Sequence, residues 1–214
     1  MYVKDAMTKD PFCIDKETKL SQALDIMTQN NFHRIPVVDK DHNLIGLITE
    51  GTILETIPTK STSLSKYELN YLYEKANVDL LMIKKVNVIS QDDVLEKAVA
   101  EMRHNHVGCL VVTEGNKVVG IITDNDIFDA FIDLLGYNVS GVRYVISIKE
   151  DSYGILEKVA KCFTEAKVSI TNISNYHGPR GIEIIVISED KDVDKMKAKL
   201  AEAGYEVTLA EVRN

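Results

Sequence analysis

The sequence predicts an α/β chain of two modules: a tandem β-α-β-β-α repeat, then a single β-α-β-β-α-β unit. Three observations carry this prediction. Gly120-Ile121-Ile122-Thr123-Asp124-Asn125-Asp126 is echoed upstream by Gly46-Leu47-Ile48-Thr49-Glu50-Gly51-Thr52. The echo extends over whole segments. Val3-x-x-x-Met7 returns as Val78-x-x-x-Met82, Leu20 as Leu95, Met27 as Met102, and Ile35-Pro36-Val37-Val38 as Leu110-Val111-Val112. The offset holds at 75 residues until the second copy loses one residue in the turn after Val112. After Gly136 the echo stops and a different strand-helix pattern begins. A repeat of this length marks a supersecondary unit that cannot bury its apolar face alone and packs against its copy. Two copies predict a pseudo-two-fold module with a cleft at its axis, which reads as a binding device before it reads as an enzyme.

In each repeat a short extended segment (Phe12-Cys13-Ile14, then Val86 to Ile89) leads into an amphipathic helix. Its apolar face is Leu20, Ala23, Leu24 and Met27 in the first copy and Leu95, Ala98, Val99 and Met102 in the second, at helical spacing. Asn30-Asn31 and Asn105 suit the helix ends. An apolar strand, a polar turn (Asp39 to Asn43, or Glu114 to Lys117) and a second apolar strand follow, and another helix begins at Thr49 or Thr123. Between the copies, Leu64 to Lys75 with Tyr67, Tyr71 and Leu72 predicts a helix packed on the module. Beyond Gly136, Val142 to Ile148 alternates as a strand, and a helix opens near Asp151 and runs to Ala166. Val168 to Tyr176 and Ile182 to Ser188 read as two strands around a Gly178-Pro179-Arg180-Gly181 turn. A helix from Val193 to Ala203 and a strand from Tyr205 to Val212 complete the ferredoxin-like order. The expected partition is 1–55 for repeat one, 56–77 between the copies, 78–138 for repeat two and 141–214 for the last unit.

Of the 214 residues, 45% are hydrophobic and 27% charged, ordinary values for a chain with a substantial core. The net charge of −8 argues against a nucleic-acid partner, which needs a concentrated basic face. No run of about eighteen apolar residues spans a membrane, and Met1 to Asp5 lacks an apolar signal core. Cys13, Cys109 and Cys162 are scattered among apolar neighbours with no CxxC pair, which predicts reduced, buried thiols in a cytoplasmic protein.

At Thr123 an apolar strand delivers the chain to a helix N-terminus, whose amides and dipole accept an anion. The Thr hydroxyl adds a donor, and the Asp126 carboxylate suits a pair of vicinal hydroxyls, so a ribose phosphate matches both. The alternative is a capping box, in which Thr and the acidic residue satisfy each other's amides. Repeat one has Thr52 in place of the Asp but carries Phe32-His33-Arg34-Ile35-Pro36. There Arg34 is suited to grip phosphate oxygens with both arms of its guanidinium, or else His33 and Arg34 form a solvated turn. Lys84 and Lys85 read either as phosphate neighbours or as surface lysines. His104-x-His106 reads as a solvated helix end more readily than as a metal pair, so no metal site is expected.

The Val-x-x-x-Met, basic-x-Pro-Val-Val and Gly-h-h-Thr-x-x-Asp pattern (h apolar) resembles the CBS domain, and two copies resemble a CBS pair, or Bateman module. The resemblance implies that Thr123 and Asp126 hold the phosphate and ribose of an adenine nucleotide, with Thr49 the matching position in repeat one. It implies a purine slot at Val88, Ile89, Gly108 and Cys109, with phosphates reaching Arg34, His33 and Lys84. The Asp151-x-x-Gly154-x-Leu156 junction resembles the ACT domain, which implies an amino-acid site at Asp151, Gly154, Ile155 and Leu156 with Asn172 near the ligand's polar end. Alternatively Gly154 only permits a turn and the unit only pairs sheets with a second subunit. The order CBS-CBS-ACT resembles the acetoin-utilisation (AcuB) type of protein.

These resemblances imply a cytoplasmic regulatory homodimer that senses AMP, ATP or cyclic di-AMP, and through its ACT unit an amino acid, and modulates a target protein. No catalytic cofactor, nucleic acid or membrane is expected. No P-loop, Rossmann fingerprint, nucleophile elbow or HExxH supports an enzyme. The other alternative is a ligand-free scaffold with degenerate sites, for which Thr52 is the best argument.

Overall fold

The structure is a computed structural model that describes residues 1–55, 74–150, 152–178, 181–189 and 192–213. The helix expected over Leu64 to Lys75 lies almost entirely outside the described residues, as do Asp151 and the Pro179-Arg180 turn. The chain divides into two compact units, Met1–Phe128 and Asp129–Asn214.

The first unit is mixed α/β. Repeat one comprises a one-turn helix α1 (Val3–Ala6), a short strand β1 (Thr8–Lys9), α2 (Leu20–Asn30), the antiparallel pair β2 (Arg34–Val38) and β3 (Leu44–Thr49), and α3 (Glu50–Glu55). Repeat two opens with a single 3-10 turn, Val78–Leu80. It continues through β4 (Val88–Ile89), α4 (Leu95–Asn105), β5 (Cys109–Glu114), β6 (Lys117–Thr123) and α5 (Asp124–Leu134), whose later turns belong to the second unit. The predicted helix ends stand. Asn31 and His106, which follow α2 and α4, take the left-handed conformation (φ 56° and 53°) that Asn tolerates best among ordinary residues.

The repeats are interlocked through their first residues. Val3 N and Lys4 N donate to the Asp93 and Gln91 carbonyls, and Leu95 N donates to Met1 O. The offset of 75 residues maps each bond onto a partner: Val78 N to Thr18 O, Asp79 N to Lys16 O, and Leu20 N to Ala76 O. The lead-in segments then join the opposite repeat's last strand. Thr8 and Lys9 pair with Ile121 and Gly120, while Ile83 bridges Leu47. Asn43 bridges Lys117 on the pseudo-axis, flanked by the paired bonds Leu44 N to Asn116 O and Val118 N to His42 O. Val78 is accordingly buried in repeat one's core, with Ile14, Leu20, Ala23, Met27, Ile35 and Ile48.

This interlock explains the motifs that revealed the repeat. A Cβ at Gly120 would lie 2.6 Å from the Met7 sulfur, and one at Gly46 would lie 2.6 Å from the Met82 sulfur. Each repeat's Met packs over the other repeat's bare glycine, so the two residues recur together.

In the second unit β7 (Gly141–Ile148), α6 (Ile155–Ala166), β8 (Ile170–Gly178), β9 (Gly181–Ser188), α7 (Val193–Glu202) and β10 (Glu206–Arg213) follow in the order β-α-β-β-α-β. The sheet is antiparallel, ordered β10-β7-β9-β8. Alternation along β7 buries Val142, Tyr144, Ile146 and Ile148 against α6 and α7, where Phe163 meets Tyr144 edge to face at 5.7 Å. Among the described residues, no helix is long and apolar enough to cross a membrane.

Candidate functional site

The site lies where β6 passes into α5. Thr123 is the last residue of the strand, and Asp124, Asn125 and Asp126 form the first helical turn. Four amides here would lack intrahelical partners, and all four are satisfied locally. Thr123 N donates to Asp126 Oδ2 (2.7 Å), Asp124 N to Gly108 O (3.1 Å), Asn125 N to Asp124 Oδ1 (3.1 Å) and Asp126 N to Thr123 Oγ1 (3.4 Å). The Thr123 hydroxyl donates to the same Asp126 oxygen at 2.8 Å. The capping-box alternative therefore describes this turn. Among the described residues Asp126 Oδ1 makes no hydrogen bond, so it remains an acceptor.

Around this turn is a cleft of about 280 Å³. Its opposite wall comes from repeat one: Pro11 and Phe12 ahead of α2, Phe32, His33 and Arg34 after it, and Pro36 on β2. Phe12 and Phe32 are 50% and 38% exposed, so both rings offer open apolar surface where they line the cleft. The Cys13 thiol behind Phe12 is pushed up to about 11 by burial.

An ion pair and a hydrogen bond border the cleft. Arg34 Nη1 lies 3.9 Å from Asp124 Oδ1, and His33 Nδ1 lies 2.7 Å from Glu50 Oε2. The guanidinium is seated on Gly108, where a Cβ would fall 2.6 Å from Arg34 Nη2 and 2.9 Å from Asp124 Oδ2. Any side chain at position 108 would force this pair aside.

Of the expected nucleotide residues, the structure brings Thr123, Asp126, His33 and Arg34 to one cleft. It does not bring the others there. Ile89 and Cys109 are core residues, 4% and 5% exposed, and burial raises the Cys109 thiol against the opposing effect of Arg34. Gly108 lies under Arg34. Val88 and Lys84 line a separate cleft with Leu44, Val86 and Thr113. Thr49 sits opposite Arg34 in the β2–β3 pair, its hydroxyl 2.6 Å from that of Thr52. The reason is the interlock: the lead-in that faces Thr123 is repeat one's, so Pro11, Phe12 and Pro36 stand where repeat two's own segment was expected. Sequence reasoning passed over Pro11, Phe12, Asn31 and Asn125. An aromatic beside proline just before an amphipathic helix was the available signal.

In the second unit, Gly154 has φ 78° at the start of α6 and lies with Ser152, Tyr153, Ile155 and Leu156 around an open depression. Asn172 donates through Nδ2 to Leu134 O at the end of α5 (3.0 Å), and among the described residues its buried Oδ1 has no hydrogen-bond partner. No group of three or more metal-ligating side chains occurs among the described residues.

Residues 3–59 and 77–133 match the CBS domain profile. The chain belongs to the CBS-domain family. This CBS pair is 32% identical over 136 residues to a CBS domain-containing protein of Dictyostelium discoideum, covering 62% of this chain and 92% of that protein. It also matches a homoserine O-acetyltransferase of Methanohalobium evestigatum at 28% identity, but spans only 23% of that enzyme. Among solved structures, an acetoin utilization protein (AcuB) from Vibrio cholerae superposes on the CBS pair with a TM-score of 0.55 at 25% identity, covering 64% of this chain and 95% of that one. CBSX2, solved in complex with AMP, has a TM-score of 0.53 at 22% identity over 62% of this chain and 97% of its own. At that identity the likeness is one of fold.

Proposed function

We propose that this chain is a regulatory ligand sensor whose CBS pair binds an adenine nucleotide in the Thr123–Asp126 cleft. The observation that carries the reading is the meeting, in one cavity, of an aromatic wall, a carboxylate oxygen without a partner and an arginine. A purine stacks on Phe12 and Phe32, sequence-tolerant contacts that supply roughly 1–3 kcal/mol per base. Vicinal ribose hydroxyls donate to Asp126, and Arg34 faces the 5′ end. The AMP complex of CBSX2 supports a ligand of this class for the fold.

The ligand acts by population shift, favouring one arrangement of the repeats because it contacts both. Helix α5 carries Asp126 in its first turn and continues past Phe128 into the second unit, so ordering that turn biases the segment joining the two. The second unit has the strand and helix order of the ferredoxin-like ACT domain, and in this reading either holds an amino acid at Ser152 to Leu156 or pairs with a second copy. The assembly is a cytoplasmic homodimer that modulates a target protein and has no catalytic turnover of its own. The acetoin-utilisation label stays with the Vibrio protein.

The satisfied helix terminus favours one competing reading, a scaffold whose sites hold nothing. Titration calorimetry and melting shifts with AMP, ATP, cyclic di-AMP and NAD decide between them. Heat and a raised melting temperature with an adenine ligand support the sensor, and neither with any of the four refutes it.

A further inference from the structure

We infer that the cleft selects an adenosine-type ligand bearing at most one phosphate, and that Asp124 is the residue that sets this limit. The inference rests on the nucleotide-sensor reading and sharpens it. A polyphosphate is normally gripped by free amides at a helix N-terminus. Here the Thr123, Asp124, Asn125 and Asp126 amides are all bonded within the protein, at 2.7, 3.1, 3.1 and 3.4 Å. The positive end of α5 already holds the carboxylates of Asp124 and Asp126.

The basic side chains fare no better. Arg34 is held toward Asp124 and His33 toward Glu50, so each already faces a carboxylate. Lys84 lines a different cleft. What remains available carries no positive charge: the apolar Pro11, Phe12, Phe32 and Ile121, the acceptor Asp126 Oδ1, and the neutral side chains of Thr8, Asn31 and Asn125. A volume of about 280 Å³ fits this, since it lies just below the roughly 300–1,000 Å³ typical of ligand sites. A single phosphate at the mouth turns Arg34 away from Asp124. The second and third phosphates meet carboxylates and neutral side chains with no further cation, at a cost of about threefold in affinity per added charge at cleft distances and ordinary salt.

Asp124 therefore works as a positioning residue, acting through Arg34 rather than on the ligand. Replacing it with Asn keeps the Oδ1 that accepts from Asn125 N and removes the charge that competes for Arg34.

The test is calorimetry with adenosine, AMP, ADP and ATP, in EDTA and without magnesium, on the full chain and on Asp124→Asn. Wild-type protein is expected to bind ATP at least about tenfold more weakly than AMP. In Asp124→Asn the AMP-to-ATP ratio is expected to shrink by about threefold or more, a change that loss of structure alone would not produce. ATP binding as tightly as AMP overturns the inference and leaves the sensor reading intact. An unchanged ratio in a folded Asp124→Asn overturns the role of Asp124. Silence from all four ligands with wild-type protein overturns this inference, and the sensor reading falls with it when cyclic di-AMP and NAD are silent too.

Discussion

Replacing Gly120 with alanine tests the interlock that builds the site. The added methyl would sit 2.6 Å from the Met7 sulfur, 3.2 Å from its Cε and 3.1 Å from the Thr8 carbonyl oxygen. At Gly46 the corresponding distances are 2.6 Å to the Met82 sulfur, 3.0 Å to its Cγ and 3.3 Å to the Ile83 carbonyl oxygen. Favourable contact needs about 3.5–4.0 Å. A methionine can swing aside, but the carbonyls belong to the crossed-over strand segments and move only if Thr8 parts from Ile121 or Ile83 from Leu47. Overpacking of this kind costs about 1–3 kcal/mol. Gly51→Ala is the control: its Cβ meets only the Thr49 hydroxyl oxygen, at 3.7 Å, on a helix where alanine gains roughly 0.5–1 kcal/mol. Urea unfolding followed by far-UV circular dichroism suits a chain without tryptophan. Both destabilised variants should shift the same transition, because each glycine carries the other repeat's methionine. The reasoning fails if both lie within about 0.5 kcal/mol of wild type, or if they move separate transitions.

The other predictions concern the cleft. Phe12→Ala should fold normally, since the ring is half exposed, and should weaken nucleotide binding by about ten- to a hundredfold in calorimetry. Gly108→Ala should displace Arg34 from Asp124 and change AMP affinity more than adenosine affinity, with an equal change in both counting against the seating of Arg34. Thr52→Ala should leave nucleotide affinity within about twofold while costing about 1 kcal/mol of stability through loss of the 2.6 Å hydroxyl pair. Cys13, with its thiol raised from 9.0 to about 11, should hold roughly a hundredfold less thiolate at pH 8 than an unperturbed cysteine. Alkylation by iodoacetamide, followed by mass, should accelerate with pH up to about 11. The sign for stability is the same: burial favours the neutral thiol, so this contribution is intact below pH 9 and is lost as the pH rises toward 11.

Much of the fold was legible because its constraints come in pairs. Val3 and Met7 recur as Val78 and Met82 because each pair fills the opposite repeat, and the bare Gly46 and Gly120 recur with them. The alternation along β7 and the helical spacing along α2, α4 and α6 record which face is apolar. Periodicity does not record which copy covers that face. This is why Val88, Ile89 and Cys109 were expected beside Thr123 and Asp126, while Pro11, Phe12 and Pro36 line that cleft. Similarly, Thr-x-x-Asp carries two meanings in one string, a ribose clamp and a capping box. The 2.7 Å bond from Thr123 N to Asp126 assigns one oxygen to the cap and leaves the other for a ligand. Asn172 was selected for its polarity, and only the docking of α5 shows its amide holding Leu134 O.

The central claim is that Asp126 and the aromatic wall opposite it form a nucleotide site. Its most direct test is titration of AMP into wild-type protein and Asp126→Asn, with melting curves to establish that both are folded. The account predicts saturable binding by the wild type and at least a tenfold loss in the variant. Equal affinity in the two proteins would contradict it.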